Sequence, residues 1–210
     1  MKVDAENPDA GAIREAAAVI RGGGLVVFPT ETVYGLAANA FDVKAVRKVF
    51  EAKSRSFSSP LPVQVGDRAS IEEVAVDPSD DATRLADRFM PGPITLILRR
   101  NPAISDIVTA GGETIAVRIP DNVVAIALLR EFGGPIVATS ANVSGQQEPR
   151  DAAEAIKQIG ASVDVVLDAG PTRYGEPSTV VDTTVTPPRV VRQGALSADE
   201  IRKVIGGLVA

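Results

Sequence analysis

The stretch Pro29-Thr30-Glu31-Thr32-Val33-Tyr34-Gly35 places two hydroxyls, a carboxylate and a phenol directly after the apolar run Leu25–Phe28. Polar groups just beyond a strand end are where open α/β sheets hold ligands. The same residues would also serve as an N-cap and turn, with Tyr34 in the core. A second stretch, Lys53-Ser54-Arg55, sets two cations two residues apart before Ser56–Ser59 and Pro60-Leu61. In extended chain both would point the same way. They could then bracket a phosphate chain, the arginine as a fork and the lysine as a point charge. Taken alone, the pair reads better as solvated charge at the negative end of a helix dipole. The third stretch, Ile136–Gly145, runs from apolar residues into Thr139, Ser140, Asn142 and Ser144. Strand-end amides there could face an anion, or the segment could be a plain strand-to-turn transition. Thr114, Ser178-Thr179 and two arginines that close apolar runs, Arg118 and Arg192, add to these. An arginine closing a strand is usually an edge charge. Two of them beside Lys53 and Arg55 point to a local anion site.

The missing residue types narrow the chemistry further. The 210 residues include no histidine and no cysteine. That excludes disulfides, thiolate nucleophiles, Ser-His-Asp triads and metal sites built on imidazole or thiolate. Catalysis is left to carboxylates, cations, hydroxyls, backbone dipoles or a metal that arrives with the substrate. Phosphoryl or nucleotidyl transfer leads among reactions that such groups can run, because it asks mainly that charge be held in place. Neither a G-x-x-x-x-G-K-[ST] loop nor G-x-G-x-x-G occurs, so side chains and strand-end amides would have to hold any nucleotide. The net charge of −5 argues against broad nucleic-acid binding but leaves room for a basic pocket.

These stretches need elements to position them. Ile13, Ala16, Ala17 and Ile20 recur at helical spacing in Ala10–Arg21, which stops at Gly22-Gly23-Gly24. Helices are also expected over Val43–Ala52, Ile71–Val76, Asp80–Phe89, Val123–Phe132 and Ala152–Ile159. A last helix opens on the capping box Ser197-Ala198-Asp199-Glu200. Strands are expected at Leu25–Phe28, Leu61–Val65, Ile94–Leu98, Ile115–Ile119, Ile136–Thr139, Val163–Leu167, Thr179–Asp182 and Val190–Arg192. Pro91-Gly92-Pro93 breaks the chain, and Ala103–Gly112 reads as a loop. The order predicts a single α/β domain with a mixed sheet.

In this order the motifs resemble the YrdC-like family, the threonylcarbamoyl-AMP synthases of the tRNA t6A pathway. The residues that carry the likeness are Pro29–Leu36, Lys53-x-Arg55 with Pro60-Leu61, Pro91–Thr95 and Val117–Pro120. Ser140-x-Asn142, Ser178–Asp182 and Arg192-x-Gly194 complete it, and the match runs from about Gly22 to Leu196. The resemblance implies a twisted mixed sheet with flanking helices and a concave basic cleft. It implies formation of threonylcarbamoyl-AMP and pyrophosphate from L-threonine, bicarbonate and ATP, with Mg²⁺ accompanying the nucleotide and no organic cofactor. Lys53, Arg55, Ser140 and Asn142 would be catalytic. Arg55, Ser59, Thr114, Ser140 and Arg192 would hold ATP. Thr32, Gln64, Arg118, Ala138 and Ser178 would hold threonine, and no protein metal site is expected. A downstream tRNA threonylcarbamoyl transferase would take the product, with at most weak contact to tRNA.

Two positions depart from the family pattern. Gln64 stands where many members carry histidine, and Glu148 stands where a serine often touches the nucleotide. The resemblance also implies one domain over residues 1–210, without the extra C-terminal domain of longer members. No apolar run approaches the ~20 residues that a bilayer span needs, and the acidic start is unlike a signal peptide, so a cytoplasmic location is expected. The competing readings are an RNA-binding or ribosome-assembly module and a diverged paralogue acting on another carbamoyl or amine substrate.

Overall fold

The computed structural model describes residues 1–209. Seven α-helices form among them: α1 (Ala10–Arg21), α2 (Val43–Ala52), α3 (Asp80–Phe89), α4 (Asp106–Thr109), α5 (Val123–Phe132), α6 (Ala152–Ile159) and α7 (Ala198–Ile205). Side chains that hydrogen-bond free amide groups start most of them: Asp9, Asp42, Ser79, Asn122, Asp151 and Ser197 each accept from a first-turn N–H. Ser197 and Glu200 complete the expected capping box.

The strands are β1 (Val26–Phe28), β2 (Gly35–Asn39), β3 (Val63–Gln64), β4 (Ala75–Val76), β5 (Ile94–Arg100), β6 (Thr114–Arg118), β7 (Ile136–Ser140), β8 (Val165–Val166), β9 (Thr179–Asp182) and β10 (Arg189–Arg192). They make one mixed sheet in the order β10-β9-β5-β6-β3-β7-β2-β1-β8, with β4 on β5. β3 runs parallel to β6 and β5 to β9, while β2, β3 and β7 pair antiparallel.

Three expectations are corrected. Gly35–Asn39 is a strand that the sequence reading passed over, because its small residues lack the β-branched signal. Ile71–Val76 is not an α-helix: a 3₁₀ turn over Ala69–Glu73 leads into β4. The supposed loop Ala103–Gly112 contains α4, closed by Ala110 in the left-handed region at φ 53.

The sheet has two unlike faces. On one, Val27, Leu36, Val63, Val137, Leu96, Val117 and Val181 meet α2, α3, α6 and α7 in the main core. On the other, Val26, Phe28, Ala37 and Ile136 meet α1 and α5. That second cover reaches only the β8-β1-β2-β7 end. Over β3, β6, β5, β9 and β10 the same face stays open and forms a cavity.

Candidate functional site

Strand alternation aims the side chains. Successive residues point to opposite faces, so Leu96 and Leu98, Ile115 and Val117 go into the core. Thr95 and Ile97, with Thr114, Ala116 and Arg118, go to the open face. Gln64, Ala138, Ser140, Ser178, Val180, Val191 and Arg192 join them around a cavity of ≈ 430 Å³. The Thr30–Gly35 loop closes one end, and Arg55, Pro60 and Glu148 stand at the rim.

The Thr30–Gly35 segment is tied down on all sides. Tyr34 is fully buried; its hydroxyl donates to the Gly170 carbonyl at 2.7 Å and accepts from the Ala169 amide at 3.1 Å. Burial pushes its pKa up to about 12, with the Ala169 N–H opposing. Gly35 lies opposite Phe28 in the β1–β2 ladder, and a Cβ there would come within 2.8 Å of the Phe28 ring. Only glycine lets the ring lie across the strand at this point. Glu31 is 2% exposed and faces Arg118, with Arg118 Nη2 2.7 Å from Glu31 Oε1. That contact is close enough for an ion pair but is not aligned as a hydrogen bond, which leaves both Glu31 oxygens without a hydrogen-bonded donor. Arg118 donates from Nε to the Gly92 carbonyl at 3.1 Å and from Nη1 to Thr32 Oγ1 at 2.9 Å.

Across the cavity, Thr95 Oγ1 and Ser178 Oγ lie 2.7 Å apart. Arg192 donates from Nη2 and Nε to the Ser178 carbonyl at 2.8 and 3.2 Å. Arg55 is fixed by the Pro60 carbonyl at 3.0 Å. Burial pushes the pKa of both guanidinium groups below the ordinary value. Among the described residues neither Arg55 nor Arg192 forms an ion pair with a carboxylate. Two partly desolvated cations that no carboxylate pairs directly, facing one cavity with only Glu148 on its wall to oppose their charge, make a site for an anion. Gln64 adds a buried side-chain oxygen without a hydrogen-bond partner.

Thr32, Arg55, Gln64, Thr114, Arg118, Ala138, Ser140, Ser178 and Arg192, all singled out from the sequence, line this one cavity. Three others do not. Lys53 is 1% exposed and turned inward; its ammonium donates to the Ser140 and Asn142 carbonyls and to Asn142 Oδ1. Asn142 is buried beside it and donates from Nδ2 to the Gln146 carbonyl at 2.7 Å. Ser59 lies outside the wall and presents its carbonyl toward Arg55 Nε at 3.5 Å. The extended geometry that would aim Lys53 and Arg55 together is absent, because Ser54 takes φ 49 between them. Burial is the main cause that pushes the Lys53 pKa down, to about 8; Arg55 adds to the effect and Glu148 opposes it. The Ala138 amide is also spent, donating to the Pro62 carbonyl at 2.9 Å. Thr95 was missed as a wall residue. A lone threonine between Ile94 and Leu96, two residues from Ile97, was the available signal.

The Sua5/YciO/YrdC family model, described as telomere recombination, matches residues 18–194, a span that holds every cavity residue named above. The chain is 43% identical over 194 residues to the threonylcarbamoyl-AMP synthase of Pyrococcus abyssi, covering 92% of this chain and 57% of that protein. It is 43% identical over 195 residues to the Bacillus subtilis protein of the same name, covering 92% and 56%. The chain thus spans little more than half the length of these two relatives. The crystal structure of P. abyssi Sua5 complexed with L-threonine superposes with a TM-score of 0.96 at 40% identity, covering 100% of this chain and 62% of that one. With its motifs, fold and cavity all in this register, the chain belongs to the Sua5/YciO/YrdC family.

Proposed function

We propose that this domain forms threonylcarbamoyl-AMP and pyrophosphate from L-threonine, bicarbonate and ATP, as the first step of N6-threonylcarbamoyladenosine formation on tRNA. The observation that carries the reading is the cavity wall itself. Arg55 and Arg192 face it without a direct ion pair among the described residues, while Thr32, Gln64, Arg118 and Ser178 offer hydrogen-bonding groups to a small zwitterion. The names of the relatives and the threonine-bound P. abyssi protein support the same assignment.

The reaction asks the protein mainly to hold two anions together. Threonine and bicarbonate give an N-carboxylate with loss of water, and one of its oxygens attacks the α-phosphorus as pyrophosphate leaves. Arg55, Arg192, Ser140 and Thr114 hold the nucleotide in this reading, and Thr32, Gln64, Arg118 and Ser178 hold the amino acid. Juxtaposition and charge neutralisation by fixed donors supply the acceleration. Lys53 and Asn142 act from behind the wall: they fix the end of β7 and with it Ser140. Mg²⁺ arrives with the nucleotide. Among the described residues no group of three His, Cys, Asp or Glu side chains converges to hold a metal. Glu148 is the one carboxylate on the cavity wall, a donor set that fits a hydrated ion held mainly by phosphate oxygens. When bound, that ion neutralises phosphate charge.

The product is a mixed anhydride and needs an acceptor enzyme, so a tRNA threonylcarbamoyl transferase is the expected partner. No helix among the described residues is long and apolar enough to cross a membrane, and we place the reaction in the cytoplasm with its tRNA. The test is pyrophosphate release from ATP and bicarbonate with and without L-threonine. A threonine-dependent burst of pyrophosphate and an AMP derivative is expected. Folded protein that shows no threonine stimulation sinks the reading.

A further inference from the structure

Thr30 and Thr32 are 2% and 0% exposed, so their hydroxyl protons must be spent inside the protein. Thr30 Oγ1 donates to the Val33 carbonyl at 2.7 Å, a partner that has no proton to give. The 2.8 Å contact between Thr30 Oγ1 and Thr32 Oγ1 must therefore carry the proton of Thr32. Thr30 Oγ1 is also approached by the Thr32 and Val33 amides at 3.2 and 3.3 Å, two long contacts that share its second lone pair. On its other side Thr32 Oγ1 accepts from Arg118 Nη1 at 2.9 Å, and a guanidinium only donates. A hydroxyl has one proton and two lone pairs. In Thr32 the proton and one lone pair are taken, and a single lone pair remains on a residue that lines the cavity. Glu31 holds the arginine end of this chain of contacts. Its carboxylate is buried against Arg118, which the Gly92 carbonyl fixes from a third direction. A buried carboxylate without hydrogen-bonded donors is costly, and the service visible here is to orient that guanidinium.

We infer that Thr30 and Glu31 are positioning residues that lock the Thr32 hydroxyl as an acceptor, so that this wall takes a hydrogen-bond donor and rejects a carboxylate or phosphate oxygen. The inference rests on the reading of this cavity as the threonine site. There, an N–H or the hydroxyl of threonine faces Thr32, and the substrate carboxylate is left to the second N–H of Arg118 Nη1, since Nη2 is buried against Glu31. A carboxylate set against Thr32 would meet lone pair with lone pair. The lock thus gives the amino acid one orientation in the cavity.

The experiment titrates L-threonine and, separately, ATP into the wild type and the variants Thr30→Val, Thr30→Ser and Glu31→Gln, each first checked for cooperative unfolding. Thr30→Val removes the acceptor and frees the Thr32 proton toward the cavity. The threonine dissociation constant should rise about tenfold, while that of ATP stays within about twofold. KM for threonine should move more than kcat. Thr30→Ser should restore wild-type binding, and Glu31→Gln should weaken threonine in the same selective way. A folded Thr30→Val protein that binds threonine like the wild type overturns the inference, and so does an equal loss for both ligands. If Thr30→Val does not fold, unchanged threonine affinity in Glu31→Gln overturns it. A ligand-free readout separates the lock from the functional reading: in NMR spectra of the wild type the Thr32 hydroxyl proton should exchange slowly with water. Exchange as fast as that of an exposed threonine hydroxyl overturns the lock. A wild type that binds no threonine while that proton is protected rejects the functional reading alone.

Discussion

Lys53 and Arg55 stand two residues apart and do different work. The Lys53 ammonium has three N–H groups and three acceptors around it, two of them at 2.6 and 3.1 Å on Asn142. Arg55 stays at the rim with unspent donors. Lys53→Met keeps the length of the side chain and removes all three donors. Each buried acceptor left bare costs about 1–3 kcal/mol, partly offset by release of a desolvated charge. The net expectation is a loss of about 2 kcal/mol, or roughly 4–8 °C in Tm for a chain of this size, in protein without ligand. A lysine that served only to contact ATP would leave that Tm unchanged. The pH dependence has a definite sign. The folded pKa is about 8 against an ordinary 10.5, so between these values the folded state binds fewer protons than the unfolded one. Lys53 alone therefore makes stability rise with pH across that window. Denaturant titrations at pH 7.5 to 10 should show this rise in the wild type and its loss in Lys53→Met. At this scale the sequence disclosed residue types but not directions. It named nine wall residues, yet it aimed Lys53 wrongly, because the left-handed Ser54 leaves no mark in composition.

The walls of the cavity depend on elements that approach each other closely. Most helix boundaries were legible, since Asp42, Asn122 and Asp151 cap where the periodic apolar residues begin. β2 was not, because Gly35 makes room for the Phe28 ring and Ala37 and Ala38 pair with β1 and β7 without the β-branched side chains that mark a strand. The turn after β10 is a similar case. A Cβ on Gly194 would lie 2.2 Å from the Pro177 carbonyl oxygen and 2.7 Å from that of Ser178. The Gly194 amide meanwhile donates to Thr179 Oγ1 at 2.9 Å. This glycine lets the chain beyond Arg192 lie against the backbone that carries Ser178. Gly194→Ala must push β9 and β10 apart, at an expected cost of about 2–4 kcal/mol, with the Ser178–Arg192 contacts loosened. Gly207→Ala is the control: its Cβ would meet nothing closer than Pro187 Cβ at 3.6 Å, and stability should stay within about 0.5 kcal/mol. Chemical denaturation of both variants checks the pair, and a neutral Gly194→Ala contradicts the close-approach argument.

The cavity exists because helices cover the second sheet face at one end only. α1 and α5 shield β1, β2 and β7, and the strand order carries β6, β5, β9 and β10 beyond their reach. Sequence periodicity disclosed a mixed α/β sheet. It could not disclose that order, which places β9 beside β5 and β3 between β6 and β7 through long-range pairing. The family motifs supplied what periodicity lacked, by linking residues as distant as Thr32 and Arg192 to one site. On a molecule of net charge −5, the two unpaired arginines concentrate positive charge where no carboxylate but Glu148 faces the cavity. The β9–β10 wall and the β7 wall are separated in the sheet by β5, β6 and β3, so a ligand that touches both should brace the whole sheet. A ligand at a hundredfold excess over its Kd stabilises the folded state by about 2.7 kcal/mol, which corresponds to roughly 5–10 °C in Tm for a chain of this length. ATP should reach that shift in thermal unfolding, and the shift should shrink as salt rises, because the rim arginines are partly open to screening. In Arg192→Gln, where a cation at one wall is lost and the fold is kept, the ATP shift should fall below half its wild-type size. An undiminished shift in that variant would mean that the nucleotide does not bridge the two walls.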